Sequence, residues 1–185
     1  MRSTLCVLLL ASGLSAVAEE QPEVLEGWKT EEGKWVKTKN GVTLITKIGR
    51  LKLDQPAAKQ IDLQFDLEIK KWKTEGKYGS VGFVWSDSEN YEKEATLNYA
   101  VFYKWREGLY IYSMSPEGGH TYELLKTGIP IGKKVHVKAR ISTEGLVLSM
   151  GKIKAQVPIK LGSVNVWLRA FNIDAEFSRV KAKVK

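Results

Sequence analysis

The sequence predicts an all-β protein, a two-sheet antiparallel sandwich of jelly-roll type forming a single domain. Three observations carry that prediction. Nearly every segment alternates apolar and polar residues with period two, as half-buried strands do. Turn-forming residues stand between the alternating runs. No segment carries a long apolar repeat of 3.6 residues, so nothing beyond a helical turn in 86–94 or 55–59 is expected.

The alternation is clearest in QIDLQFDLEI (60–69), where Ile61, Leu63, Phe65, Leu67 and Ile69 share one face and Asp62, Gln64, Asp66 and Glu68 the other. KVHVKARI (134–141) repeats it, with Val135, Val137, Ala139 and Ile141 opposite His136, Lys138 and Arg140. Further strands are predicted near 34–38, 42–46, 50–54, 79–86, 98–106, 109–114, 121–126, 145–149, 152–157, 164–171 and 175–184. Asn40-Gly41, Glu107-Gly108 and Glu144-Gly145 supply turns that tolerate positive φ. Pro56, Pro116, Pro130 and Pro158 fall between runs or at their ends, where a missing N–H does no harm. A dozen such strands exceed an immunoglobulin-type sandwich of ~100 residues and suit a two-sheet jelly roll.

Residues 1–18, MRSTLCVLLLASGLSAVA, read as an export signal. Arg2 gives the positive start, Leu5 to Leu10 the apolar run, and Ala16-Val17-Ala18 a small-x-small cleavage site. The run is shorter than the ~20 apolar residues that span a bilayer. Cleavage leaves residues 19–185, a domain large enough to bury its own core, and predicts a periplasmic or extracellular product with no transmembrane segment. It also removes Cys6, the only cysteine, and with it any disulfide, thiolate nucleophile or Cys-ligated metal. The formal charge of +8 becomes +7 as Arg2 leaves. The lysine excess is scattered, as on the solvent faces and edges of sheets, and also suits an anionic polysaccharide or phosphate-rich surface. No motif for nucleic acid is present.

Several stretches resemble one known superfamily. GKWVKTKNGVTLITKIGRLKLDQP resembles the opening of a concanavalin A-like (laminin-G-like) jelly roll, and QIDLQFDLEIKKWK the long strand that follows it. YGSVGFVWSD and NYAVFYKWREGLYIY are similar to that superfamily's "GFxF" and "NYY-F" strands, and GKKVHVKARISTEGLVLSMGKIKA with VNVWLRAFNIDAEFSRVKAKV to its ending. The resemblance spans nearly all of 33–184. It implies a sugar-facing concave sheet, in a superfamily that holds lectins, glycanases and inert modules and often binds calcium. One group within it, exported 3-keto-disaccharide hydrolases, would imply a glycoside-processing enzyme; the closing segment here lacks that group's usual glutamine–histidine–glycine region.

The candidate chemistry is sparse. Glycoside hydrolysis needs two carboxyls about 5–9.5 Å apart. Asp66 and Glu68 share a strand face about 7 Å apart and are the nearest pair, with a solvated amphipathic face as the plain alternative. Asp87, Ser88, Glu89 and Asn90, with Glu92 and Glu94 nearby, could supply part of a Ca²⁺ site, which takes ~6–8 oxygens, or form a solvated acidic loop. No other cofactor is expected. His120 and His136 have no metal-ligand or triad spacing.

The aromatic residues remain. With Glu107-Gly108 as a two-residue turn, Trp105 pairs with Tyr110 and Tyr103 with Tyr112. Tyr99, Tyr103, Trp105, Tyr110, Tyr112 and Met114 then share one face, and Phe102, Leu109 and Ile111 the other. Tyrosine and tryptophan combine an apolar ring with a polar tip, which suits stacking on sugars; the same residues also make ordinary cross-strand pairs. Asn98, Trp167, Arg169 and Trp85 are the candidate neighbours of this platform. Trp28 and Trp35 are expected in packing roles, and Trp72 and Lys73 in a loop. The reading is therefore an exported, non-catalytic glycan-binding module. An enzyme acting through Asp66, Glu68 or a loop glutamate, and a structural envelope module, are the alternatives.

Overall fold

A computed structural model describes residues 24–73, 78–91, 95–104 and 108–185. The export signal, Trp105, Arg106, Glu107, Glu92 and Glu94 lie outside the described residues. Among the described residues there is no helix, and so none long and apolar enough to cross a membrane.

The strands are β1 (Trp28–Glu32), β2 (Trp35–Lys37), β3 (Gly41–Leu44), β4 (Ile48–Leu53), β5 (Gln60–Trp72), β6 (Ser80–Ser86), β7 (Leu97–Tyr103), β8 (Leu109–Ser115), β9 (Gly118–Leu125), β10 (Lys134–Ser142), β11 (Gly145–Met150), β12 (Ile153–Pro158), β13 (Asn165–Phe171) and β14 (Ile173–Val184). They form two antiparallel sheets. The front sheet runs β1-β4-β13-β6-β7-β8-β9 and the back sheet β12-β11-β10-β5-β14-β3-β2. The alternation located every predicted strand. It missed β1, whose WKTEE holds one apolar residue, and placed in a loop Trp72, which ends β5 and packs on the core.

The faces follow from the sequence. Ile61, Leu63, Phe65, Leu67 and Ile69 of β5 lie in the inter-sheet core, facing Val81, Phe83 and Trp85 of β6 and Val166, Leu168 and Ala170 of β13. Phe65 meets Phe83 edge-on, ring centroids 6.2 Å apart, and Phe177 at 5.5 Å. Full burial of each such side chain contributes about 1.5–3 kcal/mol. Trp28 and Trp35 belong to the same core.

β14 shows how the chain keeps its parity. Its inward residues are Ile173, Ala175 and Phe177, then Ala182, an odd-to-even change that a regular strand cannot make. A bulge between Ser178 and Lys181 absorbs the extra residue, and Arg179 adopts φ 50° within it. Without the bulge, Lys181 and Lys183 would point into the core.

Candidate functional site

The front sheet is unusual on its solvent side. In a two-layer sandwich the outward residues are ordinarily exposed, yet every residue of β6 is buried, and so is every residue of β7 except Tyr103. A second apolar layer causes this: Val84, Leu97, Tyr99, Val101, Tyr112 and Trp167 cluster outside the sheet, flanked by Tyr91, Tyr103 and Tyr110.

The hairpin β7–β8 builds most of it. Phe102 pairs with Leu109, Val101 with Tyr110, and Tyr99 with Tyr112. The expected pairing of Tyr103 with Tyr112 is off by four residues along β7, because the connection is longer than two residues. Four is even, so each side chain stays on its expected face. Phe102, Leu109 and Ile111 enter the inter-sheet core, and the tyrosines point outward. The Tyr99 and Tyr112 rings stack at 4.6 Å, and those of Tyr110 and Tyr112 at 5.0 Å. The Tyr103 hydroxyl bonds that of Tyr112, and the Tyr110 hydroxyl bonds Thr121. Tyr103 and Tyr110 stay half-exposed, whereas Tyr99 and Tyr112 are buried.

β13 supplies the other wall. Trp167 is fully buried, its ring capped edge-on by Tyr91 at 5.7 Å and its Nε1–H donating to Glu31 at 2.8 Å. Arg169 donates to the Ser80 hydroxyl at 2.7 Å and lies 5.6 Å from the Tyr99 ring centroid and 5.8 Å from that of Phe171. Among the described residues no carboxylate is within ion-pairing distance of Arg169. Its guanidinium is charged at any ordinary pH; burial opposes that charge and the surrounding tyrosine oxygens favour it, with a net upward direction. Burial and the neighbouring hydroxyls push the Tyr99 and Tyr112 phenols upward, so both stay neutral.

Two expected members do not belong to this face. Trp85 pairs with Asn98 across β6–β7, and both point toward the other sheet, Trp85 fully buried in the core. Asn98 Nδ2 donates to the Trp85 carbonyl at 3.3 Å. Asn165 instead stands on the outer face, opposite Ser86, with a buried Nδ2 that has no acceptor. Tyr91, Arg50 and Glu31 went unread in the sequence. Arg50 lies 4.1 Å over the Tyr91 ring and pairs with Glu32 at 3.1 Å. The available signal was KIGRLKL (47–53), whose alternation puts Arg50 and Lys52 together on one face.

The candidate acids lie elsewhere. Asp66 and Glu68 point outward from the back sheet, on the opposite side of the molecule from the tyrosines. Asp66 is fully buried, with His136 Nδ1 2.7 Å away and the Arg179 guanidinium bonded to it. Burial pushes its carboxyl upward, but the hydrogen bonds and charges of His136 and Arg179 prevail and hold it below the usual carboxylate range. A general acid needs the opposite shift. This arrangement predicts a pH effect. Because the folded-state pKa is depressed, the stabilisation is complete above the unfolded value near 3.9 and is lost as pH falls through the folded value. In urea unfolding between pH 6 and pH 2, Asp66→Asn should be less stable than wild type at pH 6, and the gap should close on acidification. A gap that holds constant to pH 2 would refute this role.

Asp87, Glu89 and Asn90 sit in the loop after β6. The Asp87 carbonyl accepts from Ser163 Oγ and the Glu89 carbonyl from Lys52. Among the described residues no group of three His, Cys, Asp or Glu side chains is placed to hold a metal ion.

The same two-sheet arrangement occurs in solved structures. The carbohydrate-binding module CBM66 from Bacillus subtilis superposes with a TM-score of 0.63 at 15% identity, over 85% of this chain and 95% of that one. The alginate lyase AlgAT5 of polysaccharide lyase family 7 gives 0.60 at 11% identity, covering 84% of this chain and 83% of its own. The exoplasmic/lumenal domain of VIP36, in a Ca²⁺/Man3GlcNAc-bound form, gives 0.57 at 12%, covering 86% and 84%. The fold is a concanavalin A-like jelly roll. No protein-family model and no curated protein matches the chain.

Proposed function

We propose that this jelly roll is an exported, non-catalytic glycan-binding domain that holds sugar on the outer face of its front sheet. The observation that carries the reading is the tyrosine layer on the solvent side, with Arg169 unmatched by any described carboxylate. Half-exposed Tyr103 and Tyr110 offer ring faces to the C–H side of a sugar. Arg169, only partly buried, offers donors to its oxygens. Trp167, Tyr99 and Tyr112, being buried, act as the floor and not as stacking surfaces. The non-catalytic part rests on the carboxylates: Asp66 and Glu68 belong to the back sheet, and Glu31 and Glu32 at the β1 edge are bonded to Trp167 and Arg50. Structural neighbours named as a carbohydrate-binding module and a glycan-bound lumenal domain support the same reading.

The test is a glycan array followed by titration calorimetry on the best hit, with wild type and Tyr110→Ala. Loss of the exposed ring should weaken binding by about tenfold with little change in stability. Wild-type protein that binds no glycan on the array, or a Tyr110→Ala variant that binds as well, would sink the reading.

A further inference from the structure

The back sheet carries a feature that the tyrosine face does not use. A groove of about 1110 Å³ runs over β11, β10, β5 and β14, lined by Ser149, Lys138, Arg140, Gln64, Lys181 and Lys183 among others, and is closed at one end by Glu26 and Trp28; Lys154 stands beyond its lining. The strand register orders these residues. Lys154 on β12 pairs with Ser149 on β11, Ser149 with Lys138 on β10, Lys138 with Gln64 on β5, and Gln64 with Lys181 on β14. Directly paired residues point to the same side, so the five form one straight outward row across five adjacent strands. Neighbouring strands lie ~4.8 Å apart, which spaces successive lysines of the row about 10 Å from one another.

The charges along this row are unmatched. Lys138, Lys154 and Lys181 are exposed, and among the described residues no carboxylate ion-pairs with them. The row beside it holds Arg140, Asp62 and Lys183 in register. Its carboxylate is already engaged by Arg140 and Lys185. The residues between the lysines, Ser149 and Gln64, are neutral and can both donate and accept hydrogen bonds.

We propose that this row is a second site, distinct from the tyrosine face, that binds an extended anionic polysaccharide. An acidic glycan in a ribbon-like two-fold conformation turns the same face of every second sugar toward one side. Its charges then recur with a spacing comparable to that of the lysines, while the intervening hydroxyls meet Ser149 and Gln64.

The probe is polygalacturonate, with neutral dextran as control, and the exported form of the full chain. Lys138→Gln/Lys181→Gln should weaken polygalacturonate binding about five- to tenfold at low salt and flatten its salt dependence. Its circular dichroism should stay unchanged, because both side chains are exposed. Tyr110→Ala should leave this binding intact, which separates failure here from failure of the front-face reading. Three results would overturn the proposal. One is no binding of polygalacturonate over dextran. Another is an equal loss in Lys37→Gln/Lys39→Gln, which removes the same charge elsewhere. The last is equally tight, equally lysine-dependent binding to single-stranded DNA or to phosphatidylserine vesicles.

Discussion

Trp167→Ala should destabilise the protein by about 3–5 kcal/mol, the range for deleting a fully buried large aromatic side chain. An outward residue of a two-layer sandwich would ordinarily change stability by no more than about 0.5 kcal/mol. The difference lies in the second apolar layer. The Trp167 ring is 0% exposed, capped by Tyr91, and its indole nitrogen ties β13 to Glu31 at the sheet edge. Removing it opens a cavity under Tyr91 and leaves the Glu31 carboxylate without that donor. At roughly 2–4 °C per kcal/mol for a domain of this size, the melting temperature should fall by about 6–20 °C. Trp167→Phe keeps a ring under Tyr91 and should recover more than half of the loss. Urea midpoints at unchanged m-value are the measurement. A Trp167→Ala cost below about 1 kcal/mol would show that the outer layer is not a packed core.

Gly82→Ala should cost on the order of 2–4 kcal/mol, through strain and steric conflict instead of lost burial. Gly82 has φ +156° and stands on the outer face of β6 between Arg169 and Val101. A Cβ there would meet the Ala100 carbonyl oxygen at 2.2 Å and the Val101 Cα at 2.9 Å, both backbone atoms that can yield only by moving β7. That movement would carry Tyr99 away from Arg169, so on the proposed glycan-binding role affinity should fall together with stability. Gly162→Ala, with nothing within 4 Å of the added carbon, is the matched control and should stay within about 0.5 kcal/mol of wild type. Equal melting temperatures for the two variants would refute the steric account.

Much of this was legible from spacing. The period-two pattern of 60–69, 134–141 and 164–171 places strands and their faces, because a side chain's direction alternates regardless of what lies beyond it. The tyrosines of 98–114 share a face for the same reason, and they do so even though the Glu107-Gly108 turn assigned them the wrong partners. Trp85 shows the limit. SVGFVWS alternates only weakly, since both of its faces are buried, and period alone cannot say which side receives Trp85.

The acid candidates show the same limit in another form. Asp66 and Glu68 are correctly paired on one face of β5, but neighbours on other strands decide their chemistry. Arg179 reaches Asp66 only because a bulge in β14 turns it there. Likewise Arg50 and Tyr91 join Trp167 from distant segments, and nothing local to either announces the meeting.

The chain's own residues therefore establish an all-β sandwich, its strand positions and the grouping of side chains into faces, all of which follow from local backbone geometry. Which face meets the partner sheet, which strands lie side by side, and so which tyrosines, cations and carboxylates become neighbours, were settled by long-range pairing. That pairing placed β4 beside β13 and β5 between β10 and β14. It is governed by the burial of whole faces against one another, a free energy that no short stretch of sequence contains.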